Sequence, residues 1–136
     1  MDLRSLMAPR LVAHAHCDIP CGIYDPTAAK IAADTVAKMI EKITGATGSD
    51  DASRNTYIRS VAVKEEHAQI CKKELLILWT DYFKPEHLER YPKLHDSFWK
   101  AAKLCSKNKQ SVDAAAAADL QAAVKEIADI FWATKK

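Results

Sequence analysis

From Asp25 onward the apolar residues return every three or four positions in four successive blocks, a period that suits helices with one buried face. The first block holds Ile31, Val36, Met39, Ile40 and Ile43, and the second Ala68, Cys71, Leu75, Leu78 and Tyr82. Leu94, Phe98, Ala101 and Cys105 mark the third, and Leu120, Val124, Ile127 and Phe131 the fourth. Only 3 Gly and 5 Pro in 136 residues leave few tight turns. The expected fold is all-α: one domain, an up-and-down four-helix bundle.

Local signals place the ends. Asp25 reads as an N-cap with Pro26 at the first helical position, and Gly45 as a stop. Thr44 to Asn55 reads as a loop, with a second helix starting near Ser53 and ending at Lys84-Pro85, because the residue before proline avoids helical geometry. A connection carrying His87 and Tyr91 leads to Pro92. The third helix closes with Lys103 and Lys107 at the negative end of its dipole. After a turn over Asn108 to Ser111, the alanine-rich run from Asp113 to Lys125 favours helix by propensity. Cys71 and Cys105 fall within the core stripes.

A net charge of +2, with no basic stripe interleaved with aromatics, argues against a nucleic-acid partner. No run of about 18 apolar residues is present to cross a membrane. The 4 Cys do not form a secreted disulfide framework, which favours a reducing, cytoplasmic setting.

The densest chemistry precedes the helices. His16-Cys17-Asp18-Ile19-Pro20-Cys21-Gly22-Ile23-Tyr24 gathers two thiols, an imidazole, a carboxylate and a phenol. Thiolates bind metal, Pro20 helps turn both sulfurs inward, and Gly22 permits close backbone approach. The same residues also read as a plain loop or a local disulfide. Zinc sites more often use C-x2-C or C-x4-C than this C-x3-C spacing. Met1 to Ala15, with two Arg and a break at Pro9, lacks the apolar stretch of a secretory signal, but Ala13 and Ala15 offer a cleavage site before His16.

The hook His16 to Tyr24 resembles the mature N-terminus of the nickel superoxide dismutases. So does a second block, Leu78-Trp79-Thr80-Asp81-Tyr82-Phe83-Lys84-Pro85 with His87, Tyr91-Pro92 and Leu94-His95, and a third, Ile130-Phe131-Trp132. The resemblance is expected to cover residues 16–136, with 1–15 outside it as a leader that a maturation peptidase removes before His16. It implies one nickel ion per subunit, held in a plane by the freed α-amine of His16, the backbone nitrogen of Cys17 and the thiolates of Cys17 and Cys21, with the His16 imidazole axial. Nitrogen donors in a square suit Ni(II) or Cu(II), and an α-amine of pKa about 7.7–8.0 deprotonates readily on metal.

The implied reaction disproportionates superoxide to dioxygen and hydrogen peroxide by Ni(II)/Ni(III) cycling. Tyr24 and Tyr82 would gate the open face, with Asp18 and Lys84 near it. The subunits would assemble as homohexamers. A branch of the family carries Glu and Arg behind the axial imidazole where this chain has Ala32 and His67, so His67 is the residue expected to support it. Two other readings compete. One is an uncleaved zinc- or copper-binding helical protein using His14, His16, Cys17 and Cys21, and the other a helical interaction module with a redox-active Cys17-Cys21 pair.

Overall fold

The computed structural model describes residues 22–135. Its order is α1 (Thr27–Gly45), α2 (Asp51–Ile77), a π-helical turn (Leu78–Tyr82), α3 (Pro85–Arg90), α4 (Leu94–Gln110) and α5 (Ala114–Thr134). The long helices α1, α2, α4 and α5 pack in a ring: α1 against α2 and α5, and α4 against α2 and α5. This is the expected all-α bundle, with α3 as a short addition on one connection.

The core follows the sequence stripes except on α1, where Met39 is only half-buried. Val36, Ile40, Ala68, Cys71, Leu75, Leu78, Leu94, Phe98, Ala101, Cys105, Leu120, Val124, Ile127 and Phe131 form a single buried cluster, and Tyr82 packs against it. Ile31, however, is 58% exposed, and Ala29, Ala32 and Ala33 take the inner face of α1. Small side chains there let neighbouring helices approach closely, which a hydrophobicity pattern weighted by size misses.

The helix ends are set by short polar side chains. Asp50 caps α2 by accepting the Ser53 N–H at 3.0 Å, and Asp113 caps α5 by accepting the N–H groups of Ala115 and Ala116. Asp25 accepts the Thr27 N–H at 2.7 Å, but Pro26 is the cap position and the first helix begins one residue later than expected.

Helix α4 runs on to Gln110 through residues read as a turn. Asn108 is buried in it and donates to the carbonyls of Leu104 and Ala116, tying α4 to α5. The C-terminal carbonyls of α4 are capped from α2. Lys64, 2% exposed, donates through Nζ to the carbonyls of Asn108 (2.5 Å), Lys109 (2.9 Å) and Ser111 (3.0 Å). A cation at the negative end of a helix satisfies its orphan acceptors, while burial draws the Lys64 pKa down.

Candidate metal centre

His14, His16, Cys17, Asp18 and Cys21 lie outside the described residues, and the structure begins at the last turn of the hook. Gly22 has φ +71°, a left-handed conformation that side chains with a Cβ rarely adopt. Nothing lies within 4 Å of where its Cβ would stand. Glycine therefore answers a dihedral requirement here, where the sequence reading invoked close approach. Pro26 is buried and Asp25 holds the start of α1, so the chain leaving the hook is fixed within a few residues of Cys21.

That anchoring places Tyr24 beside Tyr82, their ring centroids 5.6 Å apart and tilted by 54°. The two tyrosines proposed from sequence thus come together, from the segment before α1 and from the end of α2. Tyr82 is delivered by the π turn, in which Phe83 N–H reaches back to the Leu78 carbonyl at 3.1 Å. Such wider turns re-aim side chains within a helix and recur at functional sites.

Aromatic groups hold the Tyr82 ring on several sides: Phe131 at 4.4 Å, Phe83 edge-on at 5.0 Å and His87 stacked at 5.7 Å. Its hydroxyl pairs with the Thr134 hydroxyl at 2.7 Å, which in turn donates to the Phe131 carbonyl. The Lys135 ammonium lies over the ring at 5.2 Å. Lys84 follows in extended conformation with an exposed residue surface, and its N–H donates to His87 Nδ1 at 3.1 Å. His87 and Tyr91 therefore sit on or beside a short helix where the sequence suggested a plain connection.

His87, Thr134 and Lys135 received no role from sequence. His87 lay within the second motif block, but nothing in the sequence signalled the two C-terminal residues, because Thr134 meets Tyr82 from 52 positions away. His67 is half-buried, and its Nδ1 is shielded from solvent without a hydrogen-bond partner among the described residues. Ala32 is 1% exposed in the core and brings no side-chain acceptor. Among the described residues no group of three or more His, Cys, Asp or Glu side chains is placed to hold a metal.

A sequence profile described as nickel-containing superoxide dismutase matches residues 11–135. The chain belongs to this family. Among nickel-containing superoxide dismutases it is 42% identical over 134 residues to the enzyme of Streptomyces seoulensis, covering 98% of each chain. It is 41% identical, with the same coverage, to that of Streptomyces coelicolor. A solved native nickel superoxide dismutase superposes with a TM-score of 0.78 at 40% identity, over 89% of this chain and 100% of the other. The match begins before His16, so the resemblance reaches into residues 1–15, which the motif comparison had left out.

Proposed function

We propose that the chain disproportionates superoxide to dioxygen and hydrogen peroxide at a nickel centre built on the hook at 16–24. The family match along residues 11–135 carries this reading. Zinc- or copper-carrying alternatives are not favoured beside it. The donors would be the α-amine of His16, the backbone nitrogen of Cys17 and the thiolates of Cys17 and Cys21, with the His16 imidazole as a further ligand. Thiolate and nitrogen donors in one hook fit nickel by softness and charge. When bound, nickel supplies a one-electron couple that superoxide can both reduce and oxidise.

The surrounding residues exclude, orient and attract. Tyr24 and Tyr82 flank the approach, and their packed rings restrict it to small anions. Lys84, with Lys135 over Tyr82, adds positive charge that draws superoxide in, an effect weakened by salt. Asp18 lies beside the ligands in sequence and belongs to the same reading. The shielded, unpartnered Nδ1 of His67 supports a role in holding the imidazole of His16, since ligating imidazoles usually hydrogen-bond through their second nitrogen.

Residues 1–15 would be a leader removed by a maturation peptidase, leaving 16–136 as the functional domain. A peptide nitrogen at His16 has no basic lone pair, and the solved relative is matched whole by only part of this chain. Homohexamer assembly is supported by large exposed apolar residues, Ile23 at 81%, Ile58 at 65% and Trp99 at 54%. The buried free thiols of Cys71 and Cys105 suit a cytoplasmic setting.

Intact mass and nickel content on the same preparations test the centre. Protein beginning at His16 should hold one nickel and be active, and protein retaining Met1 to Ala15 should hold little. Cys17→Ser and Cys21→Ser should lose both nickel and turnover. Full nickel and activity in leader-retaining protein would overturn the proposal.

A further inference from the structure

One imidazole touches three consecutive residues at the edge of the candidate centre. The His87 ring stacks on Tyr82 at 5.7 Å with 16° between the planes, and meets the Phe83 ring edge-on at 5.6 Å. Its Nδ1 accepts the Lys84 N–H at 3.1 Å, and the His87 N–H donates back to the Lys84 carbonyl at 2.9 Å.

Phe83 and Lys84 are both extended, with φ −73° and −121°, and they join the π turn to α3. Pro85 keeps Lys84 in that region and brings no N–H of its own. So short a link is held by the bonds at its ends. Helix α3 is a firm place to tie it, because Leu88 and Tyr91 pack against the core.

The pattern is that of a capping box, in which a side chain at the third helical position accepts the N–H of the cap residue. Glutamine or glutamate usually fills that position. Either would accept the Lys84 N–H but present no ring to Tyr82, and phenylalanine would stack without accepting. Histidine does both. One half-buried side chain therefore fixes Lys84 relative to Tyr82.

We propose that His87 is a positioning residue for superoxide entry, which holds the Lys84 backbone so that its exposed side chain sets out beside the Tyr82 phenol. The inference rests on the dismutase reading for the anion that is steered. An ammonium on a flexible stem focuses charge at a mouth only if the root of the stem is fixed. Without the acceptor at Nδ1, the link between the π turn and Pro85 is free to rotate and to carry the ammonium away from the phenol. His87 touches neither superoxide nor nickel in this role.

The test compares nickel-loaded wild type with His87→Phe, His87→Gln and Lys84→Ala, each assayed for nickel content and helicity. Superoxide decay is followed over a range of ionic strength, and hydrogen exchange at the Lys84 amide is read by NMR. In His87→Phe that amide should exchange about 3–10-fold faster, the factor a single hydrogen bond is worth. The low-salt rate should fall by about 3–10-fold, at the lower end of what steering contributes, and its salt dependence should flatten towards that of Lys84→Ala. His87→Gln should restore slow exchange and the wild-type salt slope, because the glutamine accepts in place of Nδ1. A role limited to packing Tyr82 predicts the reverse order, with phenylalanine the milder change. In an active enzyme, unchanged exchange or an unchanged salt slope in His87→Phe would overturn this proposal alone. So would a glutamine variant whose salt dependence is as flat as that of the phenylalanine variant. A nickel-loaded wild type without superoxide turnover would instead overturn the dismutase reading, and this role with it.

Discussion

The hydroxyls of Tyr82 and Thr134 lie 2.7 Å apart, joining the π turn at the end of α2 to the last residue of α5. Thr134 also donates to the Phe131 carbonyl, which leaves its oxygen to accept from Tyr82. The C-terminal turn thereby fixes the phenol that stands beside Tyr24.

Replacing Thr134 with Val keeps the side-chain shape and removes that partner. Turnover is expected to fall by about 2–10-fold, in line with the sensitivity of catalysis to small misplacements, while nickel content and thermal midpoint change little. Superoxide-decay kinetics on nickel-matched samples decide it. An unchanged rate would mean that the aromatic packing alone positions Tyr82.

His67→Ala separates nickel retention from turnover. The thiolates do not depend on His67, so Ni(II) should stay bound. Activity should drop by about 10–100-fold, as is typical when a ligating imidazole loses its supporting hydrogen bond. The axial-nitrogen splitting in the Ni(III) spin-resonance spectrum should weaken in parallel. An unaltered spectrum and rate would leave the shielded Nδ1 without a role in the centre.

Lys64→Met should leave per-molecule activity intact and destabilise the bundle by about 2–4 kcal/mol, because buried carbonyls at the end of α4 lose a charged donor. Chemical denaturation of wild type and variant measures this directly. Equal midpoints would imply that water replaces the ammonium at no net cost.

Acid should loosen the helix starts before the core. Hydrogen bonds from Thr27, Ser53 and the Ala116 N–H hold the carboxyls of Asp25, Asp50 and Asp113 below the usual value of 3.8. A depressed folded pKa gives stabilisation that is complete above the unfolded value and is lost as pH falls through the folded one. The thermal midpoint should therefore fall as pH drops below about 4. It should fall less steeply in Asp50→Asn/Asp113→Asn, whose caps accept without titrating. Identical slopes would assign the acid sensitivity elsewhere.

The three- and four-residue spacing made the ring of helices legible, because burial of one face is what that spacing records. It failed at Ile31, where three alanines line the inner face of α1. It also could not distinguish an α turn from a π turn at Leu78–Tyr82, since a single extra residue leaves the apolar stripe readable. The Tyr24–Tyr82 pairing was legible only through a resemblance in motif. Lys64 looked like one more charge on a helix: its role depends on three carbonyls more than forty positions away, and backbone acceptors carry no side-chain signature.

The π turn at the end of α2 has a consequence for length variation. It is equivalent to one residue inserted into an ordinary helix, so deleting one residue between Leu78 and Tyr82 would restore regular backbone pairing without leaving a broken hydrogen bond. The same deletion would rotate everything beyond it by about 100° around the helix axis. Tyr82 would then swing off Tyr24, and Phe83, which packs edge-on against Phe98, would be drawn out of its slot. The aim of the phenol is thus written as a residue count, so a shortened helix could fold soundly and still point its tyrosine the wrong way.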